Sequence, residues 1–353
     1  MEDYIECVTQ DLDISEDELA IRWVEPFNQV TDLFRLKNIY GDIIPYTAYP
    51  YAVDFMNAGA HVKDPNRIVL KSRQLGFTTI AELEALVTAM TFEDTEISII
   101  SSQYDQAKKI IGEMGTILKN SPYPLPFSKN NIQKERIICD TGTSIVAYSS
   151  NPDSIRGGRS IKVYLDEFAF VPDQDDTLKA VRPKVTRGGQ VTMISTPLGS
   201  DDLFMQTFKK AKANELNMTW FYYPLFEDGT YDVNSSLLKQ NVCPICPDVD
   251  MDIVEEVRLA SINGFMQEYQ CTPVDESNAY YPANMILNCV TDVIPQHHMN
   301  IYMGIDIALA KDETAIVIVG EYNGIYHVLH VETTQAEYKE QLQLIRHLYD
   351  TWH

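Results

Sequence analysis

A short aliphatic run, Ile68 to Leu70, passes directly into Lys71-Ser-Arg-Gln-Leu-Gly-Phe-Thr-Thr79 and then into an apolar-rich stretch ending near Met90. Strand, tight loop and helix in that order constrain the fold more than any other feature. A loop that opens a helix turns its backbone N–H groups and the positive end of the helix dipole toward one point, which suits a phosphate. Against the pattern G-x-x-x-x-G-K-[ST], Gly76 takes the second glycine, Thr78 the hydroxyl residue and Phe77 the lysine slot, while Lys71 stands at the first-glycine slot. An ammonium delivered from that end of the loop still serves the β- and γ-phosphates. The cradle is then Lys71, Ser72, Arg73, Gln74, Leu75, Gly76, Phe77, Thr78 and Thr79, with Thr78 holding magnesium and Arg73 reaching the γ-phosphate as charge develops. The competing view is a polar turn before a helix, for which Phe77 counts.

Two further elements follow, about 90 and then about 30 residues on. Ile161 to Leu165 is an apolar strand that ends in Asp166-Glu167, so Asp166 is expected at the metal and Glu167 as general base toward the attacking water. Gln190 to Ser195 leads into Thr196-Pro197, placing Thr196 at a strand end where it senses the γ-phosphate. Each signal is weak alone; three in order at strand ends predict binding of ATP with Mg2+.

The alternation of strands and helices predicts an α/β fold with a mainly parallel sheet and flanking helices; with the loop and the Asp166-Glu167 pair, the class expected is a P-loop ATPase of the ASCE type. Helices are expected over Thr78 to Met90, Gln103 to Leu118 and Leu203 to Ala213, and a hairpin around Thr141-Gly142. Residues 1–60 read as an acidic N-terminal or lid region, 61–215 as the ATPase core, and 216–298 as a linker or subdomain that caps and connects. Residues 299–353 begin a second sheet at Ile301 to Asp306, with turns at Lys311-Asp312 and Asn323-Gly324 and a closing helix over Glu337 to Tyr349.

Charge bounds the partners. The chain has 28 basic and 51 acidic side chains, which excludes a nucleic-acid coat protein acting by bulk charge. Residues 1–32 alone hold ten acids and one base, Arg22. A local basic stretch, with Arg156, Arg159, Lys162, Arg182, Lys184 and Arg187, is the candidate grip on DNA; the alternative is pairing with Asp173, Asp175 and Asp176. No apolar run is long enough for a membrane span and the first residues lack a secretory start, so work inside a cell is expected. Cys243-Pro-Ile-Cys246 is a lone C-x-x-C that Cys271, Cys289, His297 and His298 could complete as zinc ligands, though ordinary thiols fit better. Aromatic residues from Tyr46 to Phe55 are either core or a stacking surface for adenine.

Taken together, Ser72 to Thr79, Ser154-Ile-Arg-Gly-Gly-Arg159 before Tyr164-Leu-Asp-Glu167, Ser195-Thr-Pro197, Phe265 to Cys271, and Gly304-Ile-Asp-Ile-Ala308 with Asp312 to Ala315 resemble the large subunit of a tailed-virus DNA-packaging terminase over residues 45–353. The resemblance implies an ATP-driven translocase of double-stranded DNA, assembled as a ring at the portal protein of a procapsid and working with a small terminase subunit. It further implies action in the host cytoplasm, absence from the mature virion, and no membrane. It makes Lys71 the loop lysine, and Arg73 and Arg156 the arginines of hydrolysis. It also implies an RNase H-like nuclease domain in which Asp306 is the first ligand for Mg2+ or Mn2+. The next acid of that nuclease would lie beyond Trp352, with Glu332 and Asp312 as poor substitutes, so cutting is expected only if another polypeptide supplies the rest. A helicase-type ATPase, or an assembly factor with a decayed phosphate loop, are the other functions open to such a chain.

Overall fold

Uninterrupted Ile, Val and Leu in a strand need cover on both faces, and the computed structural model supplies it. The residues described are 2–61, 64–226, 245–273, 299–308 and 313–352. They fall in two compact units, Met1–Asp275 and Glu276–His353. The first begins with three short helices and a small hairpin of β1 (Arg35–Lys37) and β2 (Ile43–Pro45). Its centre is a seven-stranded sheet of β3 (Asn66–Lys71), β4 (Glu96–Ser101), β5 (Arg136–Ile138), β6 (Ser144–Ser149), β7 (Lys162–Asp166), β8 (Gln190–Ser195) and β9 (Met218–Tyr223). The order is β5-β6-β4-β7-β8-β3-β9, and every pair but β5–β6 is parallel. The α/β fold with a mainly parallel sheet is the one the sequence predicts.

Alternation along each strand feeds two cores. Val69 of β3 packs with helices Pro50–Asn57, Phe77–Thr91 and Tyr104–Asn120 on one face. Ile68 and Leu70 pack with helices Gln174–Val185 and Leu203–Lys212 on the other. Helix Phe77–Thr91 is buried on almost every side, which is why its sequence is apolar with little amphipathic bias. The strand order sets β8 between β3 and β7, so the strand that leads into the loop of residues 72–79 and the strand that ends in Asp166 finish at the same edge with one strand between them.

Two sequence expectations change here. Trp220 to Tyr223, an aromatic strand by sequence but assigned to a capping segment, belong instead to the central sheet as its edge strand β9 (Met218–Tyr223), paired with β3 from Asn66 to Lys71. Lys162 and Lys184 leave the proposed basic face. Both are buried, Lys162 against Glu84 and Lys184 against Glu96 at 3.0 Å. Their partners are therefore not Asp173, Asp175 or Asp176; Lys179 takes the last two.

The second unit is an antiparallel meander of β10 (Asn300–Asp306), β11 (Thr314–Tyr322) and β12 (Ile325–Thr334), followed by helix Tyr338–Trp352. The helix covers Ile316 and Ile318 through Leu348, and Thr314 donates a buried hydrogen bond to Gln341 at 2.9 Å. Cross-strand register aligns Asp306 with Ala315 and Thr333, whereas Glu332 aligns with Ile316. Side chains opposite one another share a face, so Asp306 lies on the open face with exposed Tyr302, Val328 and Val331, and Glu332 on the helix side. Asp312 lies outside the described residues. Among the described residues no helix is long and apolar enough to cross a membrane.

Candidate functional site

Lys71 is the last residue of β3 and is buried. After it the chain is pinned from two sides: the Ser72 N–H donates to Tyr223 O at 2.8 Å and the Arg73 N–H to Glu268 O at 2.8 Å. Gln74 (φ 61°) and Gly76 (φ 70°) then take left-handed conformations that curl the loop into the helix. Open space surrounds the position of a Cβ on Gly76, so glycine answers a backbone requirement there rather than a steric one. Phe77 turns inward, its ring 5.5 Å from those of Tyr51 and Phe55 and 5.6 Å from that of Tyr223. A lysine at this position would bury an ammonium among aromatics. The ring instead supports the loop from inside, and Lys71 lines the cleft beside it.

The Lys71 Nζ donates to Glu167 Oε1 at 2.9 Å. Thr78 Oγ1 stands 3.3 and 3.4 Å from the two oxygens of Asp166. Asp166 ends β7 fully enclosed, and burial, then the charge of Glu167, push its carboxyl up to about 6, against the pull of Lys71 and Thr78. Glu167 adopts the left-handed region (φ 49°, ψ 47°), a strain that non-glycine residues carry mainly where structure over-determines them. Its second oxygen lies 3.5 Å from Ser195 Oγ, which itself accepts the Ala169 N–H at 3.1 Å.

The donors present fit a hard divalent cation. A hydroxyl and a carboxylate side by side, with further places for phosphate and water, are what magnesium takes. Ser101 Oγ and Thr196 Oγ1 are buried there without hydrogen-bond partners. Ser101 sits opposite Asp166 in the β4–β7 register. It is a site residue that sequence reading missed, although a serine ending the strand beside the acidic one was its signal.

A cleft of about 870 Å³ opens beside the loop, with Lys71, Arg73, Thr78 and Glu167 on one side and Gln106 and Lys109 of helix Tyr104–Asn120 on the other. Gln106 and Lys109 had no sequence signature, since only the sheet order brings that helix to the cleft. Arg73 is held by the Glu268 carboxylate. Arg156 lies outside the cleft lining, exposed and paired with Asp153 one turn back at 2.9 Å. The aromatic stretch divides. Tyr51 and Phe55 are core, with the Tyr51 hydroxyl donating to Leu75 O at 2.8 Å. Tyr46 and Tyr49 line a hollow of about 200 Å³ that reaches Gln74, Gly76 and Thr79.

Asp306 belongs to the other unit, and among the described residues no group of three or more His, Cys, Asp or Glu is arranged to hold a metal. Cys243, Cys289, His297 and His298 lie outside the described residues; Cys246 and Cys271 are buried and not in a disulfide.

Residues 68–287 match the family described as terminase large subunit, T4likevirus-type, N-terminal. The Mu-like prophage FluMu protein gp28 of Haemophilus influenzae is 29% identical over 275 residues, covering 71% of this chain and 52% of its own. The chain thus spans about half the length of that curated relative. Among solved structures, the large terminase of bacteriophage HK97 is similar with a TM-score of 0.54 and 18% identity, over 88% of this chain and 68% of that one. At that identity the likeness concerns the fold.

Proposed function

The chain belongs to the terminase large subunit family, T4likevirus-type, and from that premise we propose that it is an ATP-driven motor subunit that translocates double-stranded DNA into a procapsid. The observation that carries this reading is the meeting of Lys71, Thr78, Asp166 and Glu167 at one sheet edge, with Lys71 2.9 Å from Glu167. Backbone N–H groups of the loop and the Lys71 ammonium bind the phosphates of ATP. Thr78 and Asp166 hold magnesium, which when bound neutralises charge on the β- and γ-phosphates. Lys71 serves two anions in turn. Drawn to phosphate it releases Glu167, and the freed carboxylate takes a proton from the attacking water as general base. Arg73 exchanges Glu268 for the γ-phosphate, and Thr196 senses its loss. Tyr46 and Tyr49 offer the adenine a stacking wall beside Gly76.

Arg156, exposed and away from its own cleft, acts on a neighbour's nucleotide in a ring at the portal vertex. Arg159, Arg182 and Arg187, the other exposed arginines of the former basic face, grip DNA phosphates. The portal protein, the small terminase subunit and the host cytoplasm complete the setting. In the second unit Asp306 is the first carboxylate of an RNase H-like nuclease for Mg2+ or Mn2+, and cutting needs further acids on its open face.

Steady-state ATP hydrolysis with and without double-stranded DNA, for wild type, Lys71→Ala and Glu167→Gln, tests the motor. Turnover by wild type, stimulated by DNA and lost in both variants, is the expected result. ATP binding without any turnover, in the presence of portal and DNA, would favour a decayed loop.

A further inference from the structure

Glu82 takes no part in the scheme above, yet it lies against its centre. It follows Thr78 by one helical turn, so the two side chains share a face, and it is 2% exposed. Its Oε1 has no hydrogen-bond partner. Burial first, then the charge of Glu113 and a side-chain hydrogen bond with it, then the charge of Asp166, push its carboxyl well above the usual range, with Lys109 pulling the other way. A void of about 10 Å³ is lined by Thr78, Glu82 and Asp166 among the apolar side chains of Ile99, Ile110 and Ile194. One water needs about that much room and two to four polar partners, and these walls offer three.

A buried carboxyl with an open valence weakens a fold. The surrounding helix is otherwise apolar at its buried positions save Glu84 and Thr88, both of which are bonded. The hydrogen bond of Glu82 with Glu113 joins two carboxyls and leaves Oε1 unmet, so stability alone gives little reason for an acid at position 82. What the acid touches through the void is the pair that holds the metal.

We propose that Glu82 is a positioning residue for magnesium–nucleotide binding: through one water in the void it holds the Asp166 carboxylate in the orientation that keeps it beside Thr78. The proposal rests on the reading of Thr78 and Asp166 as the magnesium-holding pair. Removing such an outer partner usually lowers metal affinity or activity about 10–100-fold.

The test compares wild type, Glu82→Met and Glu82→Gln in two measurements on the full chain: thermal unfolding, and binding of a fluorescent ATP analogue across a magnesium titration. In Glu82→Met, unfolding at the same or a higher temperature is expected, with the magnesium concentration for half-maximal tightening raised about 10–100-fold. Glu82→Gln, which keeps a polar end of the same length, restores the titration to within a few-fold of wild type. A Glu82→Met protein with a wild-type magnesium titration overturns the proposal, as does one that unfolds at a lower temperature or fails to fold. Those results leave the motor reading standing as long as wild type responds to magnesium. A wild type whose nucleotide binding ignores magnesium removes both.

Discussion

Helix Phe77–Thr91 carries two buried glutamates two positions apart, and they live under opposite conditions. Glu84 faces the edge of the sheet where β3 and β7 begin. Arg67 donates to both of its oxygens, at 2.8 and 3.1 Å, and Lys162 donates to it as well. The rest of that cluster is equally satisfied: Arg67 also reaches Phe55 O at 2.8 Å and Thr192 Oγ1 at 3.1 Å, and Lys162 reaches Gly59 O at 2.7 Å. Burial alone would raise the Glu84 carboxyl, but the two cations overcome it and hold it below the usual range. Glu82 faces the edge where the same strands end. There the carboxyls of Glu82 and Asp166 are pushed up, Glu167 is strained, and the Ser101 and Thr196 hydroxyls have no partner. Charge that is fully compensated specifies a fold; charge left short of partners is waiting for a ligand.

The sharpest break in this contrast comes from Glu167→Gln. Loss of a general base is expected to lower turnover about 10²–10⁴-fold, with ATP affinity nearly kept, as read by rapid quench beside equilibrium binding. At the compensated end, Glu84→Gln strands two buried cations. It should cost about 3–5 kcal/mol of stability, measured as a shifted urea midpoint, and a shift near zero would mean the cluster is not a structural anchor.

The uncompensated end should behave in the reverse sense. The Asp166 carboxyl keeps its proton up to about 6 in the folded protein and to about 4 in the unfolded chain. Between those values the folded state binds more protons, so its stability is full below about pH 4 and falls as pH rises to about 6. The loss approaches about 3 kcal/mol. Without nucleotide, Asp166→Asn should flatten that limb and be more stable than wild type at pH 7, even though it no longer supports hydrolysis. Denaturant curves across pH decide it; parallel curves for the two proteins would contradict the cause assigned to the shift. The smallest effect is expected at the surface. Arg156→Ala breaks an exposed pair with Asp153 and should change stability by under about 0.5 kcal/mol, while lowering turnover only where subunits assemble.

Much of the candidate site's edge was legible in the residue order. The loop from Lys71 to Thr79, the acids after β7 and the hydroxyls after β8 all sit at strand ends where apolar periodicity stops, and periodicity is a property of chain neighbours. The place of Lys71 at the end of β3 was legible too, because it directly follows the aliphatic run Ile68 to Leu70. What could not be read was pairing at a distance. Lys162 sits in a stretch of surface arginines, yet it is buried against Glu84, 78 positions earlier. Arg73 meets Glu268, 195 positions later, and β9 supplies a carbonyl to Ser72 from beyond the region read as core.

The sequence by itself determined the elements, their order and the chemical types at each strand end, since backbone preference and hydrophobic period are encoded within a few residues. Only the tertiary structure decided which charges are compensated. Glu82 and Glu84 are the same residue on the same helix. Their difference is the side of the helix each occupies and the strand ends that meet it there. Register acted the same way in the second unit, placing Asp306 and Glu332 on opposite faces of one sheet, because a side chain's face follows from strand pairing and not from the residue alone.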